Sequence, residues 1–283
     1  MVIQINGNPV DITLESERTV GAVLAGIEKW LEKSEFRVRG LEIDGRIISG
    51  DAIPSAFERD IAGIECIDLS VCTRQELALD ALIEARSCLA ALTCSDSYTD
   101  ALSSAAEVWK NSPAASFLSE ESPEIYRMFD ELFKAGGTGG GPSPQAAASL
   151  IEERIRELQD PEGEITRLES LVSMITGRLE ELPIDIQTGK DGRAAETVSL
   201  FSNIAEKLFR FFVIFQSRGE FIHTVESVPI QNFLEEFNTA LKELLTAYSN
   251  KDVVLAGDLA EYELAPRFRA FYTALKQPVA SPV

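Results

Sequence analysis

Histidine occurs once in 283 residues, at position 223, and cysteine four times, at 66, 72, 88 and 94. No CxxC pair is present, so a zinc site would need all four thiolates, drawn from two different stretches of chain. Core-filling or surface thiols are the plainer reading, and they suit a reducing compartment. Basic groups are also scarce. Lys and Arg number 26 against 46 Asp and Glu, a net charge of −20. Such a surface repels phosphate backbones and anionic lipid heads, so neither nucleic acid nor a membrane is expected as partner. The densest apolar stretch, Leu208 to Phe215, is broken by Arg210 and is too short to span a bilayer. The opening Val2-Ile3-Gln4-Ile5 has no basic lead or cleavage site, which predicts no signal peptide and a cytoplasmic address. No Gly-x-Ser-x-Gly, Walker or dinucleotide fingerprint occurs. No catalytic, cofactor-binding or metal residue is therefore expected, and the chain reads as a non-enzyme. His223, in Glu220-Phe221-Ile222-His223-Thr224, reads as a structural or surface residue.

What the chain does have is ordinary globular material, 45% hydrophobic and 25% charged, long enough for two or three compact units. Val2 to Ile5, then Val10, Ile12 and Leu14 alternating with Asp11, Thr13 and Glu15, flank Asn6-Gly7-Asn8-Pro9. Period-two alternation about such a turn predicts a β-hairpin with one buried face. Thr19 stands at an N-cap position, and Val20, Val23, Leu24, Ile27 and Leu31 lay a stripe along one helix face. Extended segments follow at Phe36 to Ile43 and Ile47 to Ile48, separated by Asp44-Gly45. A last strand runs from Ile64 to Val71, and its parity predicts that Cys66 and Cys72 face away from the core.

The order hairpin, helix, strand, short strand, irregular segment, strand over residues 1–72 resembles the ubiquitin-like β-grasp superfamily. The resemblance rests on Met1-Val2-Ile3-Gln4-Ile5, the Thr19-Val20 helix start, Leu41-Glu42-Ile43-Asp44-Gly45-Arg46, and Ala52-Ile53 through Ile64. It implies a docking use of that fold. Modifiers and sulphur carriers of the superfamily act through a free Gly-Gly end, whereas here Cys72-Thr73-Arg74 runs on into a helix.

From Gln75 the period changes to 3.6, predicting an α+β protein whose remainder is helical. Residues 73–135 read as a short helical region, with apolar faces along Ala78 to Leu92, Leu102 to Trp109 and Ile125 to Phe133. A glycine- and proline-rich linker is expected over 136–148, without the Lys-Ser or Lys-Thr of a phosphate-binding loop. Residues 149–276 read as a helical bundle containing a duplicated helical hairpin. Leu168, Leu171, Val172, Ile175, Leu179 and Leu182 match Ile230, Phe233, Leu234, Phe237, Leu241 and Leu244 at a constant spacing. Thr188-Gly189-Lys190-Asp191 then matches Ser249-Asn250-Lys251-Asp252, and Ala194, Val198, Phe201 and Phe211 match Leu255, Leu259, Tyr262 and Tyr272. Two such hairpins would pair into a four-helix bundle. Asp258, Glu261 and Glu263 lack the Glu-x-x-His partners of a di-iron bundle and read as a solvated acidic face.

Two functions from different classes fit this organisation. The first is a non-catalytic interaction, scaffold or adaptor protein of the bacterial cytoplasm, with a basic or helical protein partner, homo-oligomers being compatible with it. The second is an export or assembly chaperone holding amphipathic helices of a client. The residues singled out as partner-binding are Phe209, Phe212, Phe215 and Tyr262: the helix carrying the three phenylalanines is either central to a bundle or half exposed for a partner.

Overall fold

A computed structural model describes residues 1–12, 14, 17–31, 36–49, 52–93, 98–135, 141–277 and 279–280. The chain divides into two compact units, Met1–Ile155 and Arg156–Val283.

Unit one begins with β1 (Val2–Ile5) and β2 (Asn8–Pro9), joined through Asn6 and Gly7. Both turn residues have positive φ, as a two-residue hairpin turn that follows the strand twist requires. The second strand is shorter than the alternation predicts: past Pro9, Val10 still donates to Ile3, but the Ile12 amide turns back onto the Val10 carbonyl. Val10, Ile12 and Leu14 nonetheless pack on the core, while Thr13 and Glu15 lie outside the described residues. Helix α1 (Val20–Leu31) starts as expected, the Thr19 hydroxyl accepting from the Ala22 amide at 3.3 Å, and buries Val20, Val23, Leu24, Ile27 and Leu31. Strands β3 (Phe36–Ile43) and β4 (Arg46–Ile48), the short helix α2 (Ile53–Phe57) and strand β5 (Cys66–Thr73) complete a mixed sheet of order β2-β1-β5-β3-β4. β5 runs parallel to β1 and antiparallel to β3.

Two side chains lock this sheet from its turns. Asn6 extends the β1–β5 ladder by one rung, its amide donating to the Val71 carbonyl at 3.1 Å and accepting from the Val71 amide at 2.9 Å. Asp44, in the left-handed pair Asp44-Gly45, accepts from the amides of Glu65 and Cys66 at 2.8 and 3.0 Å, with Arg59 at 3.6 Å. Those amides hold its carboxyl below the ordinary 3.8. A depressed folded value means that the stabilisation is present above the unfolded value and is lost as pH falls through the folded one. The Asp44 carboxyl carbon should therefore titrate by NMR below an unfolded aspartate, and Asp44→Ala should flatten the module's acid sensitivity below about pH 4.

β5 passes into α3 (Arg74–Thr93) with no residue between them. Thr73 and Glu76 form a capping box: the Glu76 carboxylate accepts from the Thr73 amide at 2.7 Å, and the Thr73 hydroxyl accepts from the Glu76 amide at 3.2 Å. α3 turns back onto the sheet face opposite α1. This corrects the reading of Cys72: its parity is as predicted, yet it is buried rather than outward-facing, because α3 packs against β3 and β5. A bulge between Val38 and Gly40 aims Arg39 at Asp80 of α3, 2.8 Å away.

The helices α4 (Tyr98–Lys110), α5 (Pro113–Glu121), α6 (Pro123–Ala135) and α7 (Pro144–Gln159) follow. Helix α5 has no counterpart in the sequence reading, and α7 starts inside the expected linker. Both are signalled by a polar residue before proline. Ser112 and Ser143 accept from the amides three residues on, at 3.1 Å each, and Asp160 does the same at 3.0 Å for α8 (Pro161–Arg167). Proline at the first helical position gives up no intrahelical bond there. Gly136 to Gly140, and Cys94, lie outside the described residues.

In unit two, α9 (Glu169–Gln187) and α10 (Asp191–Ser217) form one helical hairpin. A second is formed by α11 (Ile230–Ser249), then α12 (Val253–Asp258), a π-helical turn (Leu259–Leu264) and α13 (Ala265–Leu275), which run on continuously. Between the hairpins lie the short strands β6 (Glu220–Phe221), β7 (Thr224–Val225) and β8 (Val228–Pro229), and β9 (Val279–Ala280) pairs with β6. The two hairpins share one core, with α9 against α10, α12, the π-turn and α13, and α11 against α12 and the π-turn. A Cβ on Gly257 would lie 2.8 Å from Pro183, so α12 meets α9 there through a bare backbone.

The turns inside the two hairpins carry the same hydrogen bonds. Thr188, Gly189 and Lys190 donate to Ile184, Ile186 and Asp185, as Asn250, Lys251 and Asp252 donate to Thr246, Tyr248 and Ala247. Gly189 thus answers to Lys251, both left-handed, and not to Asn250 as the sequence match has it. The spacing of the first helices persists through the turn, and the π-turn adds its extra residue beyond it. Hence Leu255 and Tyr262, matched in sequence to the buried Ala194 and Phe201, stand exposed, and Phe201 packs on Phe268 with ring centroids 5.1 Å apart. Leu171, expected on the inner face of α9, is exposed as well.

Candidate docking groove

The four residues singled out for partner binding do not converge. Phe212 and Phe215 are buried and Phe209 is half-buried, all within an aromatic cluster in which Phe209 lies 5.7 Å from Phe237 and 5.3 Å from Phe271. The greasy face of α10 is filled by α11 and α13, so the client groove expected of a chaperone is occupied by the protein's own core. Tyr262 is 65% exposed within the π-turn, and its hydroxyl is bonded to the Glu261 carboxylate, which raises the phenol's pKa.

Polar concavities are present in unit two. His223 is exposed and lines one with Arg269, Thr273 and Gln277, where Arg269 is paired with Glu180 at 2.9 Å. Along α11 and the π-turn, Glu235, Glu236, Glu243 and Glu263 border a second, and Arg267 binds both Glu236 and Glu263. Among the described residues no group of three or more His, Cys, Asp and Glu side chains is placed to hold a metal ion. None of the described helices is long and apolar enough to cross a membrane.

An apolar opening beside an exposed aromatic lies in unit one. A cleft of about 670 Å³ runs between the hairpin and α1. Ile5, Pro9, Val10, Ile12 and Leu14 form one wall, and Val23, Gly26, Ile27 and Trp30 form the other. The hairpin wall exists because the chain leaves the ladder after Pro9 while its apolar side chains stay on the core. The helix wall exists because Gly26 and Trp30 lie one turn apart, beside the buried stripe. Trp30 is 62% exposed, against 3% for Trp109, which stacks on Phe129 at 4.2 Å. Sequence reasoning passed over Trp30 and Gly26. The signal was a large aromatic next to the apolar stripe of an amphipathic helix, where a polar residue ordinarily stands.

Two family models each match a part of the chain. Residues 1–73 match the family model of the TP0873 N-terminal domain, and residues 164–274 match a domain of unknown function, DUF8042. The first match ends on Thr73, the capping residue where sheet gives way to helix. The chain is also similar to an uncharacterised protein of Treponema pallidum (strain Nichols), at 30% identity over 96 residues. That similarity covers 33% of this chain and 48% of the relative, so it spans about half of the relative's length. No solved structure matches.

Proposed function

We propose that this chain is a non-catalytic adaptor of the bacterial cytoplasm. In this reading residues 1–73 are a built-in β-grasp docking module, and the helices of unit two form a four-helix bundle from a duplicated hairpin. The sheet order β2-β1-β5-β3-β4, with α1 against one face, supports the β-grasp assignment. The identical turn hydrogen bonds of the two helical hairpins support the duplication. Thr73 caps α3 and leaves the module no free tail, which favours docking over conjugation or sulphur transfer. Free thiols at Cys66, Cys72 and Cys88 are in keeping with a reducing compartment.

The observation that carries the adaptor reading is the apolar cleft flanked by exposed Trp30. An aromatic anchor beside an open apolar wall is what a binding hot spot uses, and it contributes nothing comparable to the fold of the free chain. The 283-residue chain used as bait in a bacterial lysate should recover a partner in near-stoichiometric amount, and Trp30→Asp should reduce that recovery about tenfold or more. Recovery of no partner, or equal recovery by both baits, would remove the reading.

A further inference from the structure

We infer that the cleft takes an amphipathic segment of another protein, whose apolar side chains enter over Gly26 and are flanked by lysine or arginine. This deepens the docking reading and rests on it.

Gly26 lies in the interior of α1, where glycine costs about 1 kcal/mol relative to alanine. Internal packing accounts for the other glycine of that helix. A Cβ on Gly21 would sit 3.1 Å from the Phe57 carbonyl and 3.2 Å from the Phe57 Cβ. A Cβ on Gly26 would meet no described residue within 4 Å. Among the described residues nothing requires that glycine, and its bare backbone lines the opening beside Trp30. Close approach by an outside chain supplies the missing reason, since a glycine on a helix face lets another backbone come nearer than a side chain allows.

Charge selects the kind of chain. Among the described residues lining the cleft, the ionisable side chains are Asp11 and Glu17, both carboxylates. Residues 1–72 carry 7 basic groups against 13 acidic ones, and the whole chain stands at −20. A second copy would bring charge of the same sign, whereas a basic segment is drawn in and held at the rim. Rim attraction of this sort weakens as added salt shortens the screening length.

The test uses the full chain and a phage-displayed library of random peptides, selected in parallel on the wild type and on Gly26→Leu. Leucine at 26 fills the floor from the solvent side and improves helix propensity, so the variant's thermal midpoint should not fall. Peptides retained by the wild type and lost about tenfold or more on G26L are expected to combine aliphatic or aromatic residues with net positive charge, and to elute with salt. Selected peptides that are neutral or acidic, or that do not discriminate between the two proteins, overturn the proposal. So does a wild-type dimer in sedimentation that G26L dissociates, which would seat a second copy in the cleft. If the lysate partner is lost from Trp30→Asp but held equally by G26L, docking stands and this occupant fails. If the lysate yields no Trp30-dependent partner, docking itself fails.

Discussion

Phe237→Ala should lower the stability of unit two by about 3–5 kcal/mol. Phe237 is fully buried on α11. Its ring lies 6.3 Å from Phe201, 5.7 Å from Phe209 and 6.3 Å from Phe233, so it joins the second helical hairpin to the first. Truncation removes the transfer free energy of a whole ring and leaves a cavity walled by other rings. Those are planar, stiff side chains that cannot fold into the gap as a methionine would. Because two units unfold in one chain, a single melting curve would mix their transitions. Amide exchange read over residues 164–274 separates them and should accelerate at least about a hundredfold, each factor of ten being about 1.4 kcal/mol. Leu245→Ala, on the exposed side of the same helix, should change exchange within about 0.5 kcal/mol. Equal effects from the two substitutions would mean that the aromatic cluster is not the core of this unit.

Glu157→Lys is expected to be similarly damaging, for an electrostatic reason. The Glu157 carboxylate is almost sealed from water, with the Lys207 ammonium at 3.2 Å and the Arg210 guanidinium at 3.1 and 3.3 Å. Two cations converge on one anion, and reversal of its sign places three cations in the same poorly solvated space. Removing one partner of a buried pair already costs about 3–5 kcal/mol where the remaining charge stays buried. Lys207 and Arg210 keep some access to solvent, so Glu157→Gln, which retains the hydrogen-bonding shape, should cost about 1–3 kcal/mol. Glu157→Lys should exceed it clearly in the same exchange measurement. Indistinguishable effects would show that Glu157 acts by shape and not by charge.

Much of unit one is legible in the sequence because its signals are local. Asn6-Gly7 and Asp44-Gly45 declare their turns, and Thr19 with the stripe behind it declares α1. The reading fails where a residue's fate depends on a distant element. Cys72 has the parity of an outward residue and is covered because a capping box folds α3 back over it. Phe209, Phe212 and Phe215 present an apolar face to any reader of periodicity, and only α11 and α13 decide that the face is filled. Tyr262 illustrates a subtler case. Helical periodicity assumes 3.6 residues per turn throughout, and a π-turn in mid-helix rotates everything beyond it. Leu255 and Tyr262 fail earlier still: the match places its one-residue shift at the loop, whereas the turn hydrogen bonds keep the spacing of the first helices through it, so both exposed residues are set against buried partners. Of the cleft, the hairpin and helix walls were visible as elements, but an opening between them is a property of how far apart they pack.

The environments of the two tryptophans have a practical consequence. Trp109 is sealed against Phe129, while Trp30 stands in water at the lip of the cleft. Indole emission depends on solvent contact, so the protein carries an unlabelled optical gauge: a soluble quencher such as acrylamide reaches one indole and not the other. Whatever covers the cleft shields that indole, and occupancy can be followed by light from the unmodified chain.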